Sequence, residues 1–354
     1  MKLSAHPSTN LVKLLLLGDS KSGKTGSLVS LVAAGYHLRI LDFDNLLDIL
    51  RYKIMELCPA SIDNVEFRSL RDTTKAGAQG AVINGKPKAW IDAIRMLDNW
   101  KYDDVDLGIP SLWGPDCILV IDSLSRLCDA AYDFHAAIIP TGRSGDYDGR
   151  AVYGNAQDDV EKLLGMLTGP SFATNVIVIC HGIYMDLPDG TKKIFPQGVG
   201  QKLSPKIPQY FPNYIRYDNK AGKRTIQLES DNLIHLANAR PNEMPKTLPI
   251  ETGLADFFAV LRDPPTQEAP AKQPPRITPS ARSKAHYTMI QREIKELSIA
   301  YEALSRVQDG TDLFNRLRYR LETAISRLEA EDGVDKYNRP IETKSKSIDE
   351  DIPF

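Results

Sequence analysis

Residues 18–25 read Gly-Asp-Ser-Lys-Ser-Gly-Lys-Thr, a complete G-x-x-x-x-G-K-T spacing. That spacing binds phosphate. Gly18 and Gly23 let the backbone curl so that successive N–H groups point into one concavity, and the N-terminus of the helix that follows adds its dipole. The cradle is Gly18, Asp19, Ser20, Lys21, Ser22, Gly23, Lys24, Thr25 and Gly26. Lys24 is placed to meet the β- and γ-phosphates, and the Thr25 hydroxyl suits Mg²⁺. A second acid completes this chemistry. The run Ile118 to Leu127 is an apolar strand ending in Asp122, and a carboxylate there can hold Mg²⁺ through water. The cofactors these residues call for are ATP and Mg²⁺.

The surrounding elements must hold the loop and the acid at one end of a sheet. Apolar runs predict strands at Val12–Leu17, Leu38–Phe43, Val65–Leu70, Ile118–Asp122 and Val176–Cys180, all short enough to be buried on both faces. Helical stretches are expected at Gly26–Ala34, at Lys88–Trp100 and at Ala151–Thr168, with another helix starting at Leu46. The alternation predicts a mainly parallel α/β sheet with helices on both faces. Ile183–Leu187 and Lys192–Phe195, around Pro188-Asp189-Gly190, read as a hairpin. Tyr214–Tyr217 and Arg224–Leu228 read as another.

Four parts follow from composition. Residues 1–261 form the core. Residues 262–285 are a proline-rich linker. Residues 286–331 carry two apolar helical stripes separated by Gly310, a helical hairpin. Residues 332–354 are polar, with the makeup of a disordered acidic tail. The formal charge of −2 excludes a uniformly basic body, so nucleic-acid contact must come from local patches. Four cysteines without metal-like or redox-like spacing fit a reducing cytoplasm. No apolar run approaches the length of a membrane span.

Three stretches, "ILDFDN" (40–45), "VIDSLSRL" (120–127) and "VICHGIY" (178–184), resemble the RecA-like ATPases, and among them phage-encoded ATPases of the Sak type, which are single-strand annealing recombinases. The resemblance spans about residues 11–261. It implies that the strand after the phosphate-loop helix ends in the carboxylate that polarises the attacking water. By position that is Asp44, with Asp42 the alternative, and the family more often has Glu. It implies a γ-phosphate sensor at His181, where RecA has Gln. It implies two DNA-binding loops, at 132–154 and 184–212. The first holds Arg143 and Arg150, the second Lys192, Lys193, Lys202 and Lys206, each with aromatic neighbours suited to stacking on bases. A homo-oligomer, filament or ring, follows from the same likeness.

The chain ends Asp349-Glu350-Asp351-Ile352-Pro353-Phe354, which resembles the C-terminal tip of bacterial single-stranded-DNA-binding proteins. That tip docks on replication and repair enzymes. The acids steer, the last ring is buried, and its α-carboxylate meets a cation. The expected function is a DNA-dependent ATP hydrolase that pairs or anneals single strands and recruits host DNA-metabolism proteins, in the bacterial cytoplasm if phage-encoded. The alternatives are a nucleotide-gated single-strand adaptor with little turnover, or a helicase-loader-like motor.

Overall fold

In a computed structural model, residues 11–78, 80–139, 148–220 and 222–262 are described. Arg143 and the segment from 263 onward, with the expected helical hairpin 286–331 and the acidic tip, lie outside them.

Strand β1 (Lys13–Gly18) runs into the phosphate loop. It is followed by α1 (Lys24–Ser27) and α2 (Val29–Ala33), two short helical pieces that meet at Leu28. Next come β2 (His37–Asp42), α3 (Asp48–Leu57), β3 (Val65–Ser69), a hairpin of β4 (Thr74–Gly77) and β5 (Gly80–Ile83), and α4 (Ala89–Asp98). A two-residue pair, β6 (Lys101–Tyr102) and β7 (Val105–Asp106), precedes β8 (Gly114–Asp122). Then follow α5 (Leu124–Ile138), α6 (Gly149–Thr168), β9 (Thr174–Cys180), β10 (Gly182–Asp186), β11 (Lys192–Pro196) and α7 (Gly200–Leu203). The core closes with β12 (Asn213–Lys220), β13 (Lys223–Gln227), β14 (Thr247–Pro249) and α8 (Gly253–Arg262).

Eight strands form one sheet in the order β14-β13-β12-β1-β9-β8-β2-β3. The six from β12 to β3 are parallel, and β13 and β14 add antiparallel at one edge. β9 lies between the phosphate-loop strand and the strand carrying Asp122. The expected mixed α/β fold, a mainly parallel sheet covered on both faces, is the observed one. Alternate residues of the central strands feed two separate cores. Leu15, Leu17, Leu119, Ile121, Val176 and Val178 face α4, α5 and α6. Leu14, Leu16, Ile118, Val120, Ile177 and Ile179 face α2, α3 and α8. Because both faces are dry, these strands read as unbroken apolar runs rather than as alternating ones.

Two polar side chains tie the lower ends of these strands. Asn175 accepts from the Val12 N–H at 2.8 Å and donates to the carbonyls of Pro115 and Cys117. Lys13 Nζ donates to the Phe172 and Thr174 carbonyls, both at 2.7 Å.

Several expectations are corrected. β3 is an edge strand, half-exposed to exposed along its length, not one buried on both faces. The phosphate-loop helix begins at Lys24 itself, and the helix expected from Leu46 starts at Asp48. Both expected hairpins form: β10–β11 stands apart as its own two-stranded sheet, and β12–β13 belongs to the main sheet. The segment 132–154 is not a loop throughout. Tyr132 and Phe134 lie on α5, and Arg150 and Tyr153 on α6. Among the described residues no helix is long and apolar enough to cross a membrane.

Candidate functional site

Ligands of parallel α/β sheets bind beyond the carboxyl ends of the strands. Here those ends form one row. Asp42 is in register with Asp122, Asp122 with Ile179, and Leu17 with Cys180. The phosphate loop, the two acidic strand ends and His181 are therefore brought to a single edge by register alone.

The loop is tightly closed. A Cβ added at Gly18 would sit 2.7 Å from Ser22 Oγ and 2.9 Å from the Tyr217 carbonyl oxygen. Gly23 has φ +101°, and a Cβ there would meet Ile250 Cδ1 at 2.6 Å. Both positions demand glycine, one for close approach and one for left-handed backbone. The first N–H groups of α1 have no carbonyl within the helix to bond, which leaves them for an anion. Lys24 Nζ folds over the loop and donates to the carbonyls of Gly18 (2.7 Å) and Asp19 (2.8 Å). Burial pulls its ammonium below the ordinary lysine value, and the nearby carboxylates of Asp122, Asp19 and Asp44 pull it back up.

Thr25 Oγ1 donates to Asp122 Oδ2 at 2.6 Å. Burial pushes the Asp122 carboxyl up to about 6, against the lowering effect of the Thr25 hydroxyl. A hydroxyl and a carboxylate side by side in a dry pocket are the hard oxygen donors Mg²⁺ takes when phosphates supply the rest. Thr25 and Asp122 thus fit the ion. Among the described residues no cluster of three or more His, Cys, Asp or Glu side chains could hold a metal unaided.

The two acids of β2 are sorted by a turn. Asn45 has φ +57°, a left-handed conformation that Asn tolerates. Its N–H donates to Asp42 Oδ1 at 2.7 Å, so Asp42 is turned inward and buried. Burial raises the Asp42 carboxyl above the usual range. Asp44 instead reaches across to β8 and β9. Ser123 Oγ donates to its Oδ1 at 2.9 Å, and His181 Nε2 lies 3.4 Å from its Oδ2. Burial would raise the Asp44 carboxyl, but the hydrogen bonds from His181 and Ser123 outweigh it and hold it below the usual value. His181 is fixed in turn, since its N–H donates to Ser125 Oγ at 3.1 Å. The Asp122–Ser123 peptide is cis. The Asp122 carbonyl accepts from both Phe43 N (2.6 Å) and Asp44 N (3.2 Å), which locks the β2 and β8 ends together.

Of the residues singled out in the sequence, Lys24, Thr25, Asp122, Asp44 and His181 converge on this edge. Ser125, which accepts the His181 backbone N–H, was not singled out, and Ser123 counted only as the residue paired with Asp122 at the strand end, with no role toward Asp44. Their only signal is that they follow the acidic strand end. Tyr217 also went unnoticed. Its hydroxyl pairs with Ser27 Oγ at 2.6 Å and pins α1 to β12.

The expected DNA-contacting residues other than Arg143 lie on different elements. Arg150 is exposed near the start of α6, Lys192 and Lys193 lie on β11, and Lys202 is exposed on α7. Lys206 is spent on Glu161 at 2.7 Å, and Lys192 lies 3.8 Å from Asp186. Phe211, expected among the stacking aromatics, is buried in the core.

No protein-family profile matches the chain, and no curated protein does. Among solved structures, the crystal structure of the RadB recombinase is similar at 15% identity and a TM-score of 0.37, covering 68% of this chain and 89% of that one.

Proposed function

We propose that the chain is an ATP hydrolase acting on single-stranded DNA in recombination or repair, by annealing or pairing strands. Its C-terminal tip, Asp349 to Phe354, recruits host proteins that recognise the single-strand-binding-protein terminus. The observation that carries the enzymatic part is the Asp44 carboxylate, held by Ser123 and His181 beside the Thr25–Asp122 pair. The DNA part is supported by the sequence resemblances alone.

In this reading the loop amides and Lys24 hold the nucleotide phosphates, and Thr25 and Asp122 hold Mg²⁺. Bound Mg²⁺ supplies neutralising charge to the phosphate oxygens. Lys24 leaves the Gly18 and Asp19 carbonyls to serve the phosphates. Asp44 stays ionised at neutral pH because its carboxyl is held low, so it acts by orienting and polarising a water more than by keeping its proton. His181 couples this carboxylate to whatever occupies the loops after β9.

The test is ATP hydrolysis with and without single-stranded DNA, followed by electron microscopy of the same mixtures. Hydrolysis that single strands stimulate, with filaments or rings, supports the proposal. Tight nucleotide binding with no turnover in either condition refutes the enzyme and favours the gated adaptor.

A further inference from the structure

A second site lies at the other end of the same sheet edge. A cleft of about 480 Å³ opens between the end of β3, the flanks of the β4–β5 hairpin and one side of α4. Arg68, Arg71, Lys86, Lys88, Arg95 and Lys101 line it, all of them exposed. Only two carboxylates share the lining, Asp72 and Asp92. Asp72 is already committed, since it accepts from the N–H groups of Lys88 (2.8 Å) and Ala89 (3.3 Å) and so caps α4. Asp92 pairs with Arg95 at 3.2 Å. Lys101 pairs with Asp106 at 3.4 Å, and the Arg68 guanidinium lies over the Tyr102 ring at 5.3 Å. Among the described residues, the side chains of Arg71, Lys86 and Lys88 have no ion pair or hydrogen bond.

A cleft lined by six cations and two carboxylates on a chain of net charge −2 is not an average surface. It is also not the nucleotide site. β3 is four strands from β1, so at about 4.8 Å per strand the cleft lies roughly 19 Å from the phosphate loop, while Ser69 at its edge bonds Asn45 beside Asp44. The cations do not converge on one point. Lys88 and Arg95 alone are separated by two helical turns, about 10 Å along α4. A single phosphate would use one end of such a row, whereas a string of phosphates would use all of it. The arginines of the lining can grip phosphate oxygens in pairs.

We propose that this cleft binds the phosphodiester backbone of a single polynucleotide strand, with Arg71, Lys86 and Lys88 as its free contacts. The choice of a single strand rests on the function proposed above, but the test reads binding, not turnover, so the two can fail separately.

The experiment is fluorescence anisotropy of the full chain with a labelled oligothymidylate, between 50 and 200 mM salt. The variant is Arg71→Gln/Lys86→Gln/Lys88→Gln, and the control is Lys162→Gln/Lys246→Gln, which removes exposed charge elsewhere. Each single-strand phosphate contact contributes about 0.7 to the slope of log affinity against log salt. The triple variant should therefore lose about 2 from that slope and roughly 10- to 100-fold in affinity near 0.1 M salt. Its nucleotide binding and melting temperature should match wild type, and the control should bind the strand as wild type does. Unchanged strand affinity and slope in the triple variant would overturn the proposal. So would displacement of the strand by inorganic phosphate beyond that of sodium chloride at equal ionic strength, because a single-phosphate site would then be occupied. A peptide of residues 347–354 that binds the cleft while the oligothymidylate does not would overturn it as well.

Discussion

Replacing Asp44 and Asp42 separately by Asn gives the sharpest test of the candidate site, because the two acids sit two residues apart and do different things. The Asp44→Asn change is isosteric. Its amide oxygen can still accept from Ser123, so the side chain should remain in place. What disappears is the negative charge that orients a water, and losing a positioned base costs about 10²–10⁴ in rate. That corresponds to roughly 3–5 kcal/mol of transition-state stabilisation at 1.36 kcal/mol per factor of ten. Nucleotide affinity should stay within a few-fold, because the hydrogen bonds of the Asp44 carboxylate go to Ser123 and His181 and not to the loop or Thr25. In Asp42→Asn the amide oxygen still accepts the Asn45 N–H, and the raised carboxyl of Asp42 means that a neutral group suits the pocket. Turnover should change less than threefold, and stability by under about 1 kcal/mol. The assays are steady-state ATP hydrolysis, nucleotide titration by fluorescence and urea unfolding. If Asp42→Asn stops turnover while Asp44→Asn leaves it intact, the geometric assignment is wrong.

Four further outcomes follow. Lys24→Ala should abolish hydrolysis, since it removes the cation held over the loop; wild-type turnover in that protein would remove the loop from the chemistry. His181→Ala should leave basal hydrolysis but lose the response to single strands, and an equal loss of both rates would make His181 only a prop for Asp44. Burial pushes the Lys13 ammonium down to about 7, below its unfolded value. The unfolded chain then binds more protons between pH 7 and 10.5, so stability should rise with pH across that window, by at most about 5 kcal/mol. Urea unfolding should show this rise in wild type and a flatter profile in Lys13→Met. Deleting Phe354 should abolish binding to host proteins that take the single-strand-binding-protein tip while ATP hydrolysis continues, checked by pull-down against a competing peptide of residues 347–354.

The phosphate loop and Asp122 are legible in the sequence because each is a local pattern, a glycine spacing and an acid ending an apolar run. The parallel core is legible because strands dry on both faces leave continuous apolar text. β3 misleads for the same reason. Val65, Phe67 and Leu70 look like a core strand, yet Phe67 is 52% exposed, since a run of apolar residues does not say how many neighbours flank it. α5 was missed although Leu124, Leu127, Cys128, Ala131 and His135 repeat at helical spacing, and its end was read as a loop because the RecA-like resemblance implied one from 132 onward. Choosing between Asp42 and Asp44 needs the left-handed turn at Asn45, which alternation does not reveal. The basic cleft is invisible along the chain because its cations are spread over residues 68–101 among ordinary surface residues.

The carbonyl of Asp122 has a consequence for how this site can be dissected. It holds the amides of Phe43 and Asp44, while the same residue's carboxylate bonds Thr25. Side-chain substitution at 122 therefore removes the oxygen donor but leaves the splint on Asp44 intact. The complementary lesion is an ester in place of the amide at Asp44, which deletes one N–H and no carboxylate. Such a protein would own every reactive group of the site yet hold one of them loosely, separating the worth of having Asp44 from the worth of aiming it.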